Sequence, residues 1–293
     1  MLREKNNLKE KGKLWIVVPV FNRAHSIYAL IGRLLSQTYR QFKILVVDHG
    51  TEDIDFSKFN DARLLVLKRS ANLWWTGAVN AGIKEIMEDI DKDDYILLIN
   101  DDIMVEEDYL ENLITTARNN PDTIIGSTCI HKDTGKIFYT SRILCKMRAR
   151  FLSPHRDQHI DNLDTTGLYE SDILSGRGML IPFAVFKDIN GFDEERLPHY
   201  GADYEFSWRA KRHDYRIVCA TNCRVFTQNR DDKLYQYRSS FKEFITNKKK
   251  PGNFPAIINF SFVCFGRCYA TYYVCINFGR HLLSYIKRFL IRR

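Results

Sequence analysis

YILLINDDIMVEEDYLENLI (95–114) decides the fold. Its first half, Tyr95–Asn100, is apolar without alternation, as expected of a strand covered on both faces. Its second half opens a helix over Glu106–Asn119, with Tyr109, Leu110, Leu113, Ile114 and Ala117 spaced along one face. Between them stand three polar residues, Asn100-Asp101-Asp102. A buried strand, a polar corner and an amphipathic helix form the repeating unit of an α/β layer.

The same unit recurs upstream. LWIVVPV (14–20), KILVVD (43–48) and RLLVLK (63–68) read as strands, and Ile124–Thr128 as a further one. Ser26–Gln37 and Thr76–Ile90 read as helices, with Ser26 as an N-cap and Met87 on an apolar face with Ala78, Val79, Ile83 and Ile86. Residues 129–175 show no clear period. Beyond them come an apolar run at Leu174–Phe183, a turn at Asn190-Gly191, a helix over Tyr204–Arg212 and a strand over Arg216–Ala220. Alternating strands and helices predict a mostly parallel sheet with helices on both faces. In such folds ligands bind beyond the carboxyl ends of the strands. Asn22-Arg23, Asp48 and Asn100-Asp101-Asp102 stand at three of those ends.

The chain has 293 residues, 45% apolar and 27% charged, which excludes a disordered or fibrous polymer. Seven cysteines without a CxxC pair argue against a zinc module and for a reducing compartment. The N-terminal stretch is polar, so no signal peptide is expected there. The net charge of +8 is uneven. Residues 233–293 hold twelve Lys and Arg against Glu243, so the rest is slightly acidic.

Several side chains carry two readings each. Asp101 and Asp102 suit either a divalent cation, a hard ion with oxygen ligands, or a loop whose Asp caps the next helix. Asp48 suits either a turn or an acceptor for a nucleotide. Asp203 suits either the first turn of a helix or a general base facing a hydroxyl. Trp74-Trp75 suits either core packing or flanking a sugar or base.

Six stretches together go further: VVPVFNR (17–23), LLSQTYRQFKILVVDHGTED (34–53), NLWWTGAVNAGI (72–83), YILLINDDIMVEEDYLENLI (95–114), SGRGMLIPFAVFKDINGFDE (175–194) and LPHYGADYEFSWRAKRHDYRI (197–217). In these motifs and their order the chain resembles family 2 glycosyltransferases, inverting enzymes of the GT-A fold that use nucleotide-sugar donors. The resemblance implies a Rossmann-like catalytic domain over 1–232, with a nucleotide-sugar half at about 13–128 and an acceptor half at about 129–232. It implies that Pro19, Phe21, Asn22, Arg23 and Asp48 line the nucleotide pocket. Asn72, Trp75, Gly77, Asn80, Asn100 and Asp101 would lie beside the donor, a UDP- or dTDP-sugar. Asp102 would hold a divalent cation (Mn2+ or Mg2+), Asp203 would be the base, and Gly176, Arg177, Gly178 and Met179 would border the acceptor. The acceptor would be a glycan or a lipid-linked glycan of a bacterial surface polysaccharide, such as O-antigen or capsule.

There are departures from the pattern. Asn100 opens the metal motif, Ala202 replaces the usual Glu before the base, and Thr227 or Gln228 stands where several relatives have a metal-binding His. These departures sustain a second reading, a catalytically inactive, membrane-associated sugar-nucleotide-binding or scaffold protein. The segment 233–293 reads as a basic, aromatic tail. Lys248-Lys249-Lys250 precedes the run Phe254–Phe278, which is near bilayer length but interrupted by Asn259, Arg267 and Asn277. His281–Arg293 places Leu282, Leu283, Ile286, Phe289 and Leu290 on one face and Lys287, Arg288, Arg292 and Arg293 elsewhere. That pattern predicts a helix lying on an anionic membrane surface, hence a peripheral protein on the cytoplasmic face. No nucleic-acid-binding motif accompanies the basic residues.

Overall fold

The computed structural model describes residues 12–228, 241–246 and 253–290. Strands β1 (Leu14–Val20), β2 (Phe42–Asp48), β3 (Leu64–Lys68) and β4 (Tyr95–Leu98) are parallel neighbours in the order β4-β1-β2-β3. Helices α1 (Ala24–Leu35) and α2 (Trp74–Glu85) connect them over opposite faces. β1 shows why the sheet needs both layers. Leu14, Ile16, Val18 and Val20 enter a core with Ile27, Leu30, Leu34 and Leu113. Trp15 and Val17 enter another with Ala78, Ile83, Phe186 and Phe206. A strand buried on both faces has no polar alternation, which is the pattern its sequence shows.

The chain continues through β5 (Ile103–Val105), α3 (Tyr109–Asn119), β6 (Ile124–His131), β7 (Ile137–Tyr139), β8 (Ile143–Cys145), β9 (Arg150–Leu152) and β10 (Leu168–Glu170). It goes on to β11 (Met179–Pro182), α4 (Phe183–Asp188), α5 (Ala202–Arg212) and β12 (Ile217–Thr227). The main sheet runs β10-β12-β6-β11-β4-β1-β2-β3, with β5 on β12 and β7 on β6. β8 and β9 form a separate hairpin. β11 is antiparallel to β4 and β6, and this decides where the site lies. The start of β11 meets the edge where β1 and β4 end.

Some boundaries differ from the sequence reading. α1 starts two residues before Ser26, with Arg23 as its N-cap and no side-chain cap bond. α2 stops at Glu85, and Met87 is exposed. β12 continues to Thr227 through a register shift between Ala220 and Arg224.

The run Phe254–Phe278 is two helices, which continue the numbering after a short helix α6 (Phe241–Thr246). α7 (Phe254–Cys264) ends at Phe265, and α8 spans Arg267–Leu290. Phe260 and Cys264 are buried in the core shared with α5, and the Trp208 indole donates to the Cys264 carbonyl at 2.9 Å. α8 binds the loop joining β8 to β9. Tyr269, Tyr272, Asn277 and Arg280 donate to the carbonyls of residues 146–149. No helix among the described residues is long and apolar enough to cross a membrane. Lys248–Lys250 and Arg292-Arg293 lie outside the described residues.

Candidate functional site

A single edge of the sheet gathers the polar ends of β1 and β4, the start of β11 and the start of α5. They enclose a cavity of about 1050 Å³. The turn after β1 is shaped by Asn22, which takes φ +52°. Asn tolerates this left-handed conformation because its short amide bonds locally. Here Oδ1 accepts from the Thr51 and Glu52 N–H groups at 2.8 and 3.2 Å. That bond ties the β1 and β2 turns together and sends Arg23 into the cavity.

The Arg23 guanidinium lies 3.1 Å from Asp101 and 3.8 Å from Asp102. Arg177, from the turn before β11, approaches Asp102 from the other side at 3.6 Å. Two adjacent carboxylates at a strand end repel, and two guanidiniums offset that repulsion. The Tyr139 hydroxyl fixes Arg177 by donating to its carbonyl at 3.2 Å.

Asp203 stands in the first turn of α5. Its Oδ2 accepts from the Gly176 N–H and its Oδ1 from the Tyr204 N–H, both at 2.9 Å. The side chain is half-buried by its own surface, yet protein surrounds it, and this burial pushes its pKa up from the usual carboxylate range. The two N–H bonds and the field of Arg142 act the other way. Two ties hold the loop before α5. Thr76 donates to the Leu197 carbonyl at 2.6 Å and through its N–H to Pro198 at 3.0 Å. Ser207 accepts from the Leu174 N–H at 2.9 Å.

The Trp75 indole donates to Asn100 at 3.1 Å and lies against Gly176, where a Cβ would come within 2.7 Å of its ring. Trp74 adopts φ +55°, a strained value for a bulky residue, and packs at a tilt against His199 with ring centroids 5.3 Å apart. Burial holds His199 neutral, with its pKa lowered to about 4. Its Nδ1 makes no hydrogen bond among the described residues.

Of the residues singled out by sequence, Pro19, Phe21, Arg23, Asn72, Trp75, Asn100, Asp101, Asp102, Gly176, Arg177 and Asp203 line this cavity. Asn22 and Asp48 sit behind that lining. Asp48 is buried, with Oδ1 accepting from the Gly50 N–H at 3.0 Å and Oδ2 bound by Lys68 at 2.9 Å. Gly77 and Asn80 face the loop after α4, where Asn80 donates to the Phe192 carbonyl and to Glu194. Gly178 and Met179 pack inside the sheet; a Cβ on Gly178 would meet Ser127 and Tyr109 below 2.8 Å. Thr227 closes the edge by pairing with Ile103.

The structure adds His49, Phe138, Tyr139, Arg142, Phe151, His199 and Tyr204. The aromatic and arginine density of FYTSRILCKMRARF (138–151) was the available signal.

A family model described as Glycosyl transferase family 2 matches residues 15–186, more than half of the chain. The chain belongs to this family. Asp203 lies beyond the matched stretch. Among relatives, Streptococcus pneumoniae GlyG, a glycosyltransferase, is 27% identical over 130 residues, 42% of this chain and 42% of that one. The match therefore spans less than half of GlyG. An uncharacterised glycosyltransferase of Rickettsia typhi is 25% identical over 252 residues, covering 80% of this chain and 72% of that one. Among solved structures, GalNAc-T7 with UDP, GalNAc and Mn2+ aligns with TM-score 0.59 at 12% identity. That alignment covers 87% of this chain and 48% of that chain. The shared architecture is the GT-A fold, as the family's motifs implied.

The donor chemistry of the Asp101-Asp102 pair fits a hard divalent cation that completes its shell with phosphate oxygens and water. Among the described residues, no group of three or more His, Cys, Asp or Glu side chains forms a metal cage. A cation here would therefore be held by Asp102, with Asp101 beside it, and jointly by a phosphorylated ligand.

Proposed function

We propose that this family 2 chain is an inverting glycosyltransferase. It moves a hexosyl or deoxyhexosyl group from a UDP- or dTDP-sugar to a hydroxyl of a glycan or lipid-linked acceptor in bacterial surface-polysaccharide synthesis. The observation that carries the reading is that Asp203 and the Asp101-Asp102 pair, from separate elements, line one cavity. An inverting transfer needs a base on one side of the reacting carbon and charge neutralisation on the other.

Arg23 and Arg177 face the carboxylates and are placed to receive the donor diphosphate, as guanidiniums suit phosphate oxygens. A bound Mn2+ or Mg2+ supplies charge neutralisation to the leaving diphosphate. Asp203 takes the proton of the acceptor hydroxyl as that oxygen attacks the anomeric carbon from the far face. The Gly176 and Tyr204 N–H groups keep its carboxylate aimed while the attack proceeds. Trp75 and Asn100 wall the donor between these two ends.

We also propose that the protein lies on the cytoplasmic face of the membrane. α8 exposes Leu282, Leu283, Tyr285 and Ile286 beside Lys287, and the neighbouring loop exposes Met147 between Lys146 and Arg148. Apolar side chains ringed by cations suit an anionic lipid surface.

The test is a thermal-shift series with UDP, dTDP, GDP and CDP, each with and without Mn2+, followed by donor hydrolysis. One nucleotide raising the melting temperature only with metal is the expected result. No shift with any nucleotide overturns the donor assignment.

A further inference from the structure

Three arginines line the cavity, and they are not equivalent. Arg23 and Arg177 are held by Asp101 and Asp102. Arg142, on the side of Asp203, forms no ion pair among the described residues. Its guanidinium lies 5.3 Å from the ring centre of Tyr139 and 5.1 Å from that of Tyr204, and it donates to the Tyr204 hydroxyl. Of the five N–H donors of a guanidinium, that is the one side-chain hydrogen bond it makes among the described residues.

The main chain at Arg142 is fixed as well. Its N–H donates to Ser171 at 2.9 Å, and its carbonyl accepts from the Asp172 N–H at 2.8 Å. Aromatic faces and a pinned backbone hold the cation in one place at little further entropy cost. A positioned cation with unspent donors, half-buried in a cavity, is an anion receptor before any ligand arrives. Beyond it the cavity turns apolar, through Phe151, Ile257, Phe260 and Tyr273.

We infer that Arg142 and the Tyr204 hydroxyl form an acceptor subsite for an anionic group, a sugar carboxylate or a phosphate, joined to an apolar chain. This deepens the proposed transfer, since it rests on Asp203 marking the acceptor side. A planar fork favours oxyanions with two oxygens presented together, which both candidate groups supply.

The test uses three probes sharing one chain, kept below their micelle concentrations: octyl β-D-glucoside, octyl β-D-glucuronide and octyl phosphate. The full-length protein is titrated calorimetrically while saturated with the stabilising nucleotide and Mn2+, so that Arg23 and Arg177 are occupied. At least one anionic probe should bind about tenfold more tightly than the glucoside, the scale of one charge-assisted contact. Arg142→Gln should remove that preference while leaving glucoside binding within about twofold. Tighter glucuronide names an acidic sugar as the source, and tighter phosphate a phosphorylated acceptor.

No preference in the wild type, or a preference that survives Arg142→Gln, overturns the inference. If Arg142→Gln does not fold, Arg142→Lys decides, because it keeps the charge and loses the fork. A preference reduced several-fold supports the subsite, and an unchanged one overturns it. If no nucleotide stabilises the protein, the donor reading falls by itself. Titrations without nucleotide, with Arg23→Gln beside Arg142→Gln, then still show which arginine recognises the anion.

Discussion

The Gly176 N–H donates to Asp203 Oδ2 at 2.9 Å, joining the turn before β11 to the first turn of α5. Twenty-seven residues of chain separate the two, and β11 brings them together because it runs against β4. The carboxylate is thereby aimed by the backbone of one element and carried by another. Asp203→Asn keeps an acceptor for one of the two N–H groups and removes the basic oxygen. The variant should fold, retain the nucleotide- and Mn2+-dependent rise in melting temperature, and lose transfer by at least about 10²-fold. Turnover near the wild-type rate would remove Asp203 from the chemistry.

The same carboxylate sets the acid limb of the pH profile. Burial raises its pKa above the ordinary value of 3.8, more than the bonds from Gly176 and Tyr204 and the field of Arg142 lower it. A base must be deprotonated, so kcat/KM should fall as pH drops through this raised pKa. The midpoint should lie above that of an exposed Asp. Arg142→Gln removes a lowering influence and should move the limb further up. An unchanged limb in that variant would show that Arg142 does not act on Asp203.

Gly176 has a second constraint. A Cβ there would lie 2.7 Å from the Trp75 ring, closer than real contacts allow. Gly176→Ala should displace Trp75, break its 3.1 Å bond to Asn100 and shift the Asp203 acceptor. The expected result is a loss of activity of about 10²-fold, as for a catalytic group misplaced by an ångström, with quenching or shift of tryptophan emission. Trp75→Phe separates the two effects, since it removes the indole bond and leaves room at Gly176.

Much of this was legible in the chain. β1, β2 and β4 are buried on both faces, and such strands are unbroken apolar runs. Their ends alone place Arg23, Asn100, Asp101 and Asp102 at one edge. The region after β6 was not legible, because β7, β8, β9 and β10 are three residues each, too short to show a period. Arg142 belongs there. Gly77, Asn80, Gly178 and Met179 show the opposite effect. They belong to stretches that resemble the family, and here Asn80 hydrogen-bonds Phe192 and Glu194 while Gly77, Gly178 and Met179 pack against neighbouring protein. α7 and the first turns of α8 concealed their packing on the domain because aromatic residues fit a protein core and a membrane interface alike.

Glu205 illustrates how burial separates neighbours on one helix. It is buried and bound in a fork by Arg209, Nε to Oε1 at 2.8 Å and Nη2 to Oε2 at 2.9 Å. Arg209 in turn donates to the carbonyls of Ile189, Asn190 and Gly191, which closes the turn after α4. Glu205→Ala leaves the half-buried Arg209 guanidinium without its carboxylate. The cost should be about 1.5–3 kcal/mol, read as a lower denaturant midpoint. Asp203→Asn, two residues away, should change that midpoint far less.

The apolar stripe of α8 gives the membrane proposal its own test. Leu283 is 61% exposed and Ile286 43%, beside the cation of Lys287. Met147, 88% exposed, extends the stripe from the loop that α8 binds through Tyr272 and Asn277. Each buried apolar side chain contributes about 1.5–3 kcal/mol, and nearby cations add about 1 kcal/mol each at an anionic surface. Sedimentation with vesicles containing phosphatidylserine should therefore capture the protein, and vesicles of phosphatidylcholine alone should capture much less. Leu283→Glu with Ile286→Glu should release it from both with little change in melting temperature, because both side chains are exposed. Equal binding to the two vesicle types would leave the basic residues no part in attachment. Undiminished binding by the double variant would exclude the helix as the anchor.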